Sequence, residues 1–383
     1  MKNLLDKLVL FDYHALGHIS ESKGAAVNGK KRIGVLTSGG DCPGLNPAIR
    51  AVTKTAILCH DMEVVGIKDG FEGLIENRTK KLNWEDVSGI LALGGTILGT
   101  TNRTNPFADG EERKDVSSKV LENFRRLELD ALVCIGGDGT FHIAHRFHQL
   151  GVPLVGIPKT IDNDVSATDF TIGFDSAVAV ATAALDNIHS TAESHHRVMI
   201  MEVMGRYAGW LALYAGVAGG GDVILMPEFS FDLQKVTAKL ERRSKIGKRF
   251  SLVVVSEGVK LGGAEMVVQR EVKGSTDPIR LGGVSYRIAE QIEETTGLET
   301  RVIVLGHLQR GGEPTDFDRI LATQFGKLAA DLIVEGKFGY MTGMREGKII
   351  SVPLQEGIAA LKTVPQDFPL IQAARAVGTC FGD

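Results

Sequence analysis

Several things are scarce in this chain, and each scarcity excludes something. Cysteine is rare: the four are Cys42, Cys59, Cys134 and Cys380. Their spacings match no zinc or redox motif, and a reducing cytoplasm is the simplest setting for them. Cys134 falls in an apolar run, where a free thiol behaves as a small apolar side chain. No apolar run is long enough to cross a bilayer. The start, Met1-Lys2 with a short apolar stretch at 8–11, is interrupted by Asp6 and Asp12, so a signal peptide is not expected. There is no excess of positive charge. The 43 Lys and Arg face 47 Asp and Glu, a net charge of -4. No bulk attraction to nucleic acid or membrane follows, so any anion site must be a local cluster. Short repeats and low-complexity tracts are also lacking.

Glycine, at 46 residues, is abundant, and many glycines end apolar runs, as in loop-rich nucleotide folds. A hydrophobic share of 43% and 383 residues allow two or three domains, or one large α/β body with a sizeable core. Residues 1–31 show no clear period and end in a polar, glycine-containing stretch that reads as a linker or arm. From Arg32 a strand–loop–helix order recurs. A strand over 33–37 leads through the glycine-rich loop 38–46 to a helix over 48–58. A strand over 132–135 leads to a helix over 141–150, and one over 198–203 to a helix over 209–217. Further strands, 252–255 and 302–305, end at Ser256-Glu257-Gly258 and at Gly306 to Gly312. Alternation of this kind predicts parallel sheets in layered α/β lobes, with a long helix over 176–191 joining them.

The richest segment is Pro158-Lys159-Thr160-Ile161-Asp162-Asn163-Asp164, after an apolar run over 152–157 that reads as a buried strand. Two carboxylates and an amide are delivered at a strand end, where open α/β sheets bind ligands. Asp162 is placed to take a proton from an attacking hydroxyl. Asp164 is placed to brace the region or assist a metal, and Lys159 and Thr160 to meet transferring phosphate. An Asx-turn without chemistry has the same composition. Upstream, Gly136-Gly137-Asp138-Gly139-Thr140 offers glycines for close phosphate approach and an aspartate for a metal ion. It also reads as a tight turn with a helix cap. Ser38 to Gly44 suits a phosphate at a helix N-terminus, or is glycine-rich for steric reasons alone. Arg197, Arg206, Arg301, His307 and Arg310 lie near strand ends and suit a phosphorylated sugar, although each alone also reads as a surface ion pair. Glu257 matches them as an acceptor for sugar hydroxyls. His142, His145 and His148 share a helical face without a carboxylate or cysteine and read as a packed or solvated face, as do His195 and His196.

The runs IGVLTSGGDCPGLN, GGTILGTTNR, CIGGDGT, PKTIDND, EVMGRYAGWLAL, SEG and VLGHLQRGGEPTDFDR, in this order, resemble the 6-phosphofructokinase family over about 32–326. The resemblance implies an α/β fold: two similar layered lobes with mainly parallel central sheets and the active site in the cleft between them. It divides the chain into the extension 1–31, a nucleotide and Mg²⁺ lobe of 32–173 plus 309–359, and a fructose 6-phosphate lobe of 174–308 plus 360–383. It implies ATP-dependent phosphorylation of fructose 6-phosphate at O1, with Asp162 as general base and Thr160 and Arg206 beside it. Thr160, Ile161, Asp162, Met204, Gly205, Arg206, Glu257, His307 and Arg310 are implied to line the sugar site. Arg197 and Arg301 are implied to come from a neighbouring subunit, which makes the enzyme a homodimer or homotetramer. Gly40, Arg103, Gly137, Asp138, Gly139 and Thr140 are implied for the nucleotide, with Asp138 near Mg²⁺. Nucleic acid and membrane are not implied as partners, and the cytoplasm is the implied location.

Two positions divide family members by donor. Pyrophosphate users carry Asp where this chain has Gly139, and Lys where it has Lys159. Gly139 leaves room for the α-phosphate and nucleoside, so ATP is the expected donor, with pyrophosphate as the alternative. A second departure is Asn102, inserted before Arg103. A GGDGT run also occurs in NAD kinases and lipid kinases, but those do not explain the MGR, SEG and GHLQRGG runs. A non-catalytic sugar-phosphate or nucleotide sensor would not need a base at Asp162. Arg50, Lys54, Arg78, Asp222, Lys248 and Arg249 match an inter-subunit effector site of bacterial relatives. His189 stands there in place of the usual arginine.

Overall fold

The computed structural model describes residues 30–110, 112–261, 266–271 and 279–383. The predicted extension therefore lies, apart from residues 30 and 31, outside the described residues. The first sheet begins with β1 (Arg32–Thr37), followed by α1 (Leu45–His60), β2 (Glu63–Ile67), α2 (Phe71–Glu76) and β3 (Thr79–Leu82). Next come α3 (Ser117–Arg126), β4 (Ala131–Gly136), α4 (Asp138–Gln149) and β5 (Leu154–Pro158). The helix α5 (Phe174–His195) then leads to a second sheet. Its elements are β6 (Val198–Val203), α6 (Trp210–Ala218), β7 (Val223–Leu225), α7 (Leu233–Lys245) and β8 (Ser251–Ser256). A separate pair, β9 (Val268–Glu271) and β10 (Ile279–Leu281), precedes α8 (Val284–Thr296) and β11 (Thr300–Val304). The chain returns to the first sheet through α9 (Asp316–Val334), β12 (Tyr340–Arg345) and β13 (Lys348–Pro353), and ends with α10 (Leu354–Gly357) and α11 (Pro369–Ala376).

The first sheet has seven strands in the order β13-β12-β5-β4-β1-β2-β3, and the second has four in the order β11-β6-β8-β7. Strands β2, β1, β4, β5 and β12 run parallel, while β3 and β13 add antiparallel edges. The four-stranded sheet is wholly parallel. The sequence explains this. β4, β5, β6 and β8 are buried along their whole length. Such continuous apolar strands belong in parallel sheets covered on both faces. The lobes thus share a layered plan but differ in size. The β12–β13 hairpin shows no turn motif in the sequence beyond Glu346-Gly347.

One hydrophobic core joins the lobes. It runs from Val35 and Val133 through Phe174, Ala177 and Leu185 of α5 to Leu211, Met201 and Val254. The long helix predicted over 176–191 therefore does join them. Helices α1 and α9 pack closely because Gly326 has no side chain: a Cβ there would stand 2.5 Å from Ala51 Cβ and 3.0 Å from Ala48 O. Among the described residues no helix is long and apolar enough to cross a membrane.

Candidate active site

The first strand delivers loop 38–44, which is fixed from two sides. Ser38 N–H donates to Ile135 O at 3.0 Å, and Gly39 N–H donates to Thr101 O at 3.0 Å. Thr100 Oγ1 donates to Gly39 O at 2.7 Å. Two cations converge on this loop. Arg310 Nη1 donates to Asp41 O at 3.0 Å, and a Cβ on Gly40 would stand 2.7 Å from the same nitrogen. Lys159 Nζ donates to Gly40 O. Lys159 is only 3% exposed, and burial holds its pKa below the usual lysine range. Arg103, by contrast, is exposed at the outer side of the Thr101 turn.

The second glycine run starts α4 three residues earlier than predicted. Gly137 is the N-cap, so Asp138, Gly139 and Thr140 form the first turn and present its free amides. A Cβ on Gly139 would meet nothing within 4 Å. Asp138 is half-buried, and that burial raises its pKa against the opposing effect of His142, whose Nε2 lies 3.4 Å away. The histidines of α4 go separate ways: His145 meets Gln149 at 3.2 Å and His148 meets Val152 O at 3.3 Å. His195 closes α5 and His196 is its left-handed C-cap.

Beyond β5 the chain makes a braced turn. Thr160 N–H donates to Ile172 O at 3.1 Å, and Thr171 Oγ1 donates to Thr160 O at 2.6 Å. Asn163 takes a left-handed φ of 52°, which asparagine tolerates. Its Oδ1 accepts from Thr171 N–H at 3.0 Å and its Nδ2 donates to Asp169 O at 3.1 Å. This frame holds Asp162, which is 7% exposed. Asp162 N–H donates to Thr160 Oγ1 at 3.1 Å, yet Asp162 Oδ1 is buried without a hydrogen-bond partner. Ile161 beside it is fully buried. Asp164 is pushed up to about 7, first by burial and then by Asp162.

The second lobe supplies the opposite wall. Gly205 has φ 136° after Met204, and Arg206 has φ 51°. A Cβ on Gly258 would stand 1.6 Å from Arg206 O, so the glycine of the SEG run lets the turn after β8 close on the MGR turn. Met204 N–H donates to Gln309 Oε1 at 3.3 Å. Glu257 is pushed up to about 8, first by burial and then by the charge of Asp162. Asp162 and Glu257 therefore face one another electrostatically across the two lobes. Arg310, Arg206, Met204, Glu257, Asp162 and Lys159 belong to one neighbourhood.

Arg197, Arg301 and His307 do not join that neighbourhood as closely. Arg197 pairs with Glu299 at 2.9 Å, and Arg301 pairs with the same carboxylate. Arg301 lies on the edge strand β11 and Arg197 just before β6, while His307 is exposed. Among the effector matches, Arg78 is engaged by Asp69, Glu72 and Glu76. Asp222 pairs with Arg243 at 2.7 Å, and His189 packs edge-on against Phe250 with ring centroids 4.9 Å apart. Lys54 Nζ sits 5.5 Å from the Trp84 ring, while Arg50 is half-buried in α1 and Lys248 and Arg249 are exposed.

Sequence reasoning missed several supports. Asp318 is fully buried and caps α5 from a distance, accepting from Gly173 N–H and Ser176 N–H at 2.9 Å each. Glu202 does the same for α8, accepting from Gly283 N–H at 2.8 Å and Ser285 N–H at 3.0 Å. A glycine N-cap followed by serine is the available sequence signal, since neither helix carries its own capping side chain. Lys362 Nζ donates to Thr168 O and Asp169 O, and burial draws it down to about 7. No motif in the sequence marks it.

The cleft between the lobes therefore brings a glycine-rich helix start together with a buried carboxylate whose Oδ1 has no partner. Comparison with known proteins agrees. Residues 32–333 match the family model described as "Phosphofructokinase", so the chain belongs to the phosphofructokinase family. It is 50% identical over 359 residues to an "ATP-dependent 6-phosphofructokinase" of Spirochaeta thermophila, covering 92% of this chain and 98% of that one. It is 50% identical over 360 residues to "ATP-dependent 6-phosphofructokinase 1" of Synechocystis, covering 92% and 99%. Among solved structures, phosphofructokinase from Saccharomyces cerevisiae superposes with TM-score 0.74 at 35% identity. That match covers 86% of this chain, which spans about 45% of the yeast chain. A pyrophosphate-dependent phosphofructokinase of Nitrosospira multiformis superposes with TM-score 0.77 at 23% identity over 92% and 93% of the two chains, and shows the shared fold.

Proposed function

We propose that this chain is an ATP-dependent 6-phosphofructokinase. It transfers the γ-phosphoryl group of ATP to O1 of fructose 6-phosphate and releases fructose 1,6-bisphosphate and ADP. The observation that carries this reading is Asp162: a carboxylate 7% exposed, in a fully braced turn, with one oxygen lacking any hydrogen-bond partner. Leaving such an atom unpaired costs about 1–3 kcal/mol, so it is expected to be satisfied by substrate. The hydroxyl of C1 is that donor, and Asp162 accepts its proton as O1 attacks. Thr160, Met204, Gly205, Arg206 and Glu257 orient the sugar, and Arg310 neutralises the transferring phosphoryl beside loop 38–44. Glu257, whose pKa burial and the charge of Asp162 raise to about 8, hydrogen-bonds a sugar hydroxyl.

The amides at Gly40 and at Gly137 to Thr140 cradle the nucleotide phosphates, with Arg103 at their outer edge. Asp138 would hold Mg²⁺. Among the described residues no group of three or more His, Cys, Asp or Glu gathers around it. A single half-buried carboxylate suits this ion, which keeps its waters and takes its other ligands from substrate phosphates. When bound, Mg²⁺ offsets the phosphate charge that phosphoryl transfer must neutralise. Residues 32–173 with 309–359 form the nucleotide side, and 174–308 with 360–383 the sugar side. Arg197 and Arg301 reach the sugar 6-phosphate of a neighbouring subunit in a homo-oligomer working in the cytoplasm.

The second reading is pyrophosphate-dependent transfer to the same acceptor. Lys159 favours it. Against it, Gly139 opens onto free space where an aspartate would crowd a nucleotide, and Lys159, bonded to Gly40 O, is placed beside the same phosphate loop without excluding ATP. The test is ³¹P NMR of fructose 6-phosphate with Mg-ATP and enzyme. New bisphosphate and ADP resonances are expected. Thermal stabilisation by both ligands with no product would overturn catalysis in favour of a sensor.

A further inference from the structure

After α10 the chain crosses for the last time from the first lobe to the second, and this crossing lies against the turn that carries Asp162. Ser166 N–H donates to Gly357 O at 3.3 Å, and Ser166 Oγ donates to Ala360 O at 2.5 Å. Val165 and Leu361 form an isolated antiparallel bridge, and Lys362 N–H donates to Asp164 O at 2.9 Å. The Lys362 side chain then enters the turn itself. Its Nζ donates to Thr168 O at 2.8 Å and to Asp169 O at 3.0 Å. Asp169 O is the carbonyl that also accepts from Asn163 Nδ2, one residue from Asp162.

The same lysine faces the second lobe. Its Nζ lies 5.4 Å from the centroid of the Trp210 ring, and Trp210 Nε1 donates to Lys362 O at 2.8 Å. Trp210 opens α6. Just beside it, Glu228 Oε1 accepts from Gly209 N–H at 2.8 Å and from Val364 N–H at 2.9 Å. The segment 357–364 is thus a strap, fixed to the catalytic turn on one side and to the start of α6 on the other. Lys362 is the side chain that reaches both.

We propose that Lys362 is a positioning residue for phosphoryl transfer: it pins the turn 163–171 so that Asp162 stays in line, and ties that alignment to the second lobe through Trp210. The proposal rests on Asp162 being the base. Removing the ammonium leaves the Val165–Leu361 bridge and both Ser166 bonds in place, so the strap stays docked while the turn loosens. Two carbonyls lose a donor, and one of them is shared with Asn163. A misplacement of about 1 Å at a reacting group can cost about 10²-fold in rate.

The test is steady-state kinetics of Lys362→Met with fructose 6-phosphate and Mg-ATP, together with amide hydrogen exchange. A fall in kcat of about 10–10²-fold is expected, with both KM values within about threefold of the wild type. Faster exchange at the amides of 164–171 should accompany it, with other regions unchanged. A variant with wild-type kcat would overturn the assignment. If the methionine variant does not fold, Trp210→Phe supplies the test, because it removes the indole N–H that holds Lys362 O and shrinks the ring that Lys362 faces, while leaving the lysine in place. A lower kcat at constant KM then supports the pin, and an unchanged kcat overturns it. Wild-type protein that makes no bisphosphate would overturn the phosphofructokinase reading itself, and Lys362's role in that reaction with it.

Discussion

The Asp162 turn and the β11 edge are both implicated in handling one substrate, yet they are built in opposite ways. Asp162 is surrounded by braces from its own chain: Thr160, Asn163, Thr171 and the strap at Lys362. Arg301 lies on the edge strand β11, Arg197 lies just before its neighbour β6, and the two share one carboxylate, Glu299. The first region is complete within a single chain. The second is held by surface ion pairs, the kind worth about 0–1 kcal/mol, and by one bond from Arg301 to Thr300 O. On the proposed reading, chemistry sits where geometry is preorganised, and affinity for the 6-phosphate sits on side chains that a ligand can recruit easily. An edge strand with paired, reachable cations also suits completion by a second copy of the chain.

Changes on the two sides should therefore fail differently. The largest effect belongs to Asp162→Asn. Loss of a general base costs about 10²–10⁴-fold in kcat. The variant should fold and melt at or above the wild-type temperature, because the buried Asp162 Oδ1 has no hydrogen bond to lose and the change removes a charge that opposes Glu257. Near-normal turnover would take Asp162 out of the role of base.

Arg301→Ala should act on the other parameter. Hydrogen bonds to charged groups contribute about 1.5–3 kcal/mol, so KM for fructose 6-phosphate is expected to rise roughly 10-fold or more. The KM for ATP and kcat should move far less. A fall in kcat at constant KM would erase the contrast between the two regions.

The smallest effect is one of pH. Glu257 is raised from 4.5 to about 8, so the folded state binds a proton that the unfolded state releases. Its contribution to stability is fully present below the unfolded value and is lost as pH rises through about 8. Glu257→Gln removes that titration. Thermal melts of the variant and the wild type should coincide near pH 5 and separate above pH 8, with the variant melting higher. A constant gap across this range would show that Glu257 is not desolvated as described.

Much of this was legible in the sequence. The buried parallel strands read directly as apolar runs, and the catalytic turn was marked by acidic and amide residues at a strand end. Gly139, Asp138, Asp162, Glu257 and Arg310 could be placed at strand ends from the sequence, while their gathering in one cleft came from the resemblance to the 6-phosphofructokinase family. The supports could not be read in this way. Asp318 and Glu202 cap helices that lie far away in sequence, and their partners are backbone amides, which carry no sequence signature. Lys362 binds carbonyls almost two hundred positions earlier, and nothing near it forms a motif. The β12–β13 edge of the first sheet was missed because its strands are half-exposed and lack a continuous apolar run. Lys159 shows the other limit. Its type suggested donor contact, whereas its position shows an ammonium already committed to Gly40 O.

The most direct test of the account is the initial rate with fructose 6-phosphate and Mg²⁺, measured in parallel with ATP and with pyrophosphate. The open space at Gly139 predicts turnover with ATP and none above background with pyrophosphate. Turnover with pyrophosphate alone would contradict the account and make Lys159, rather than Gly139, the residue that selects the donor.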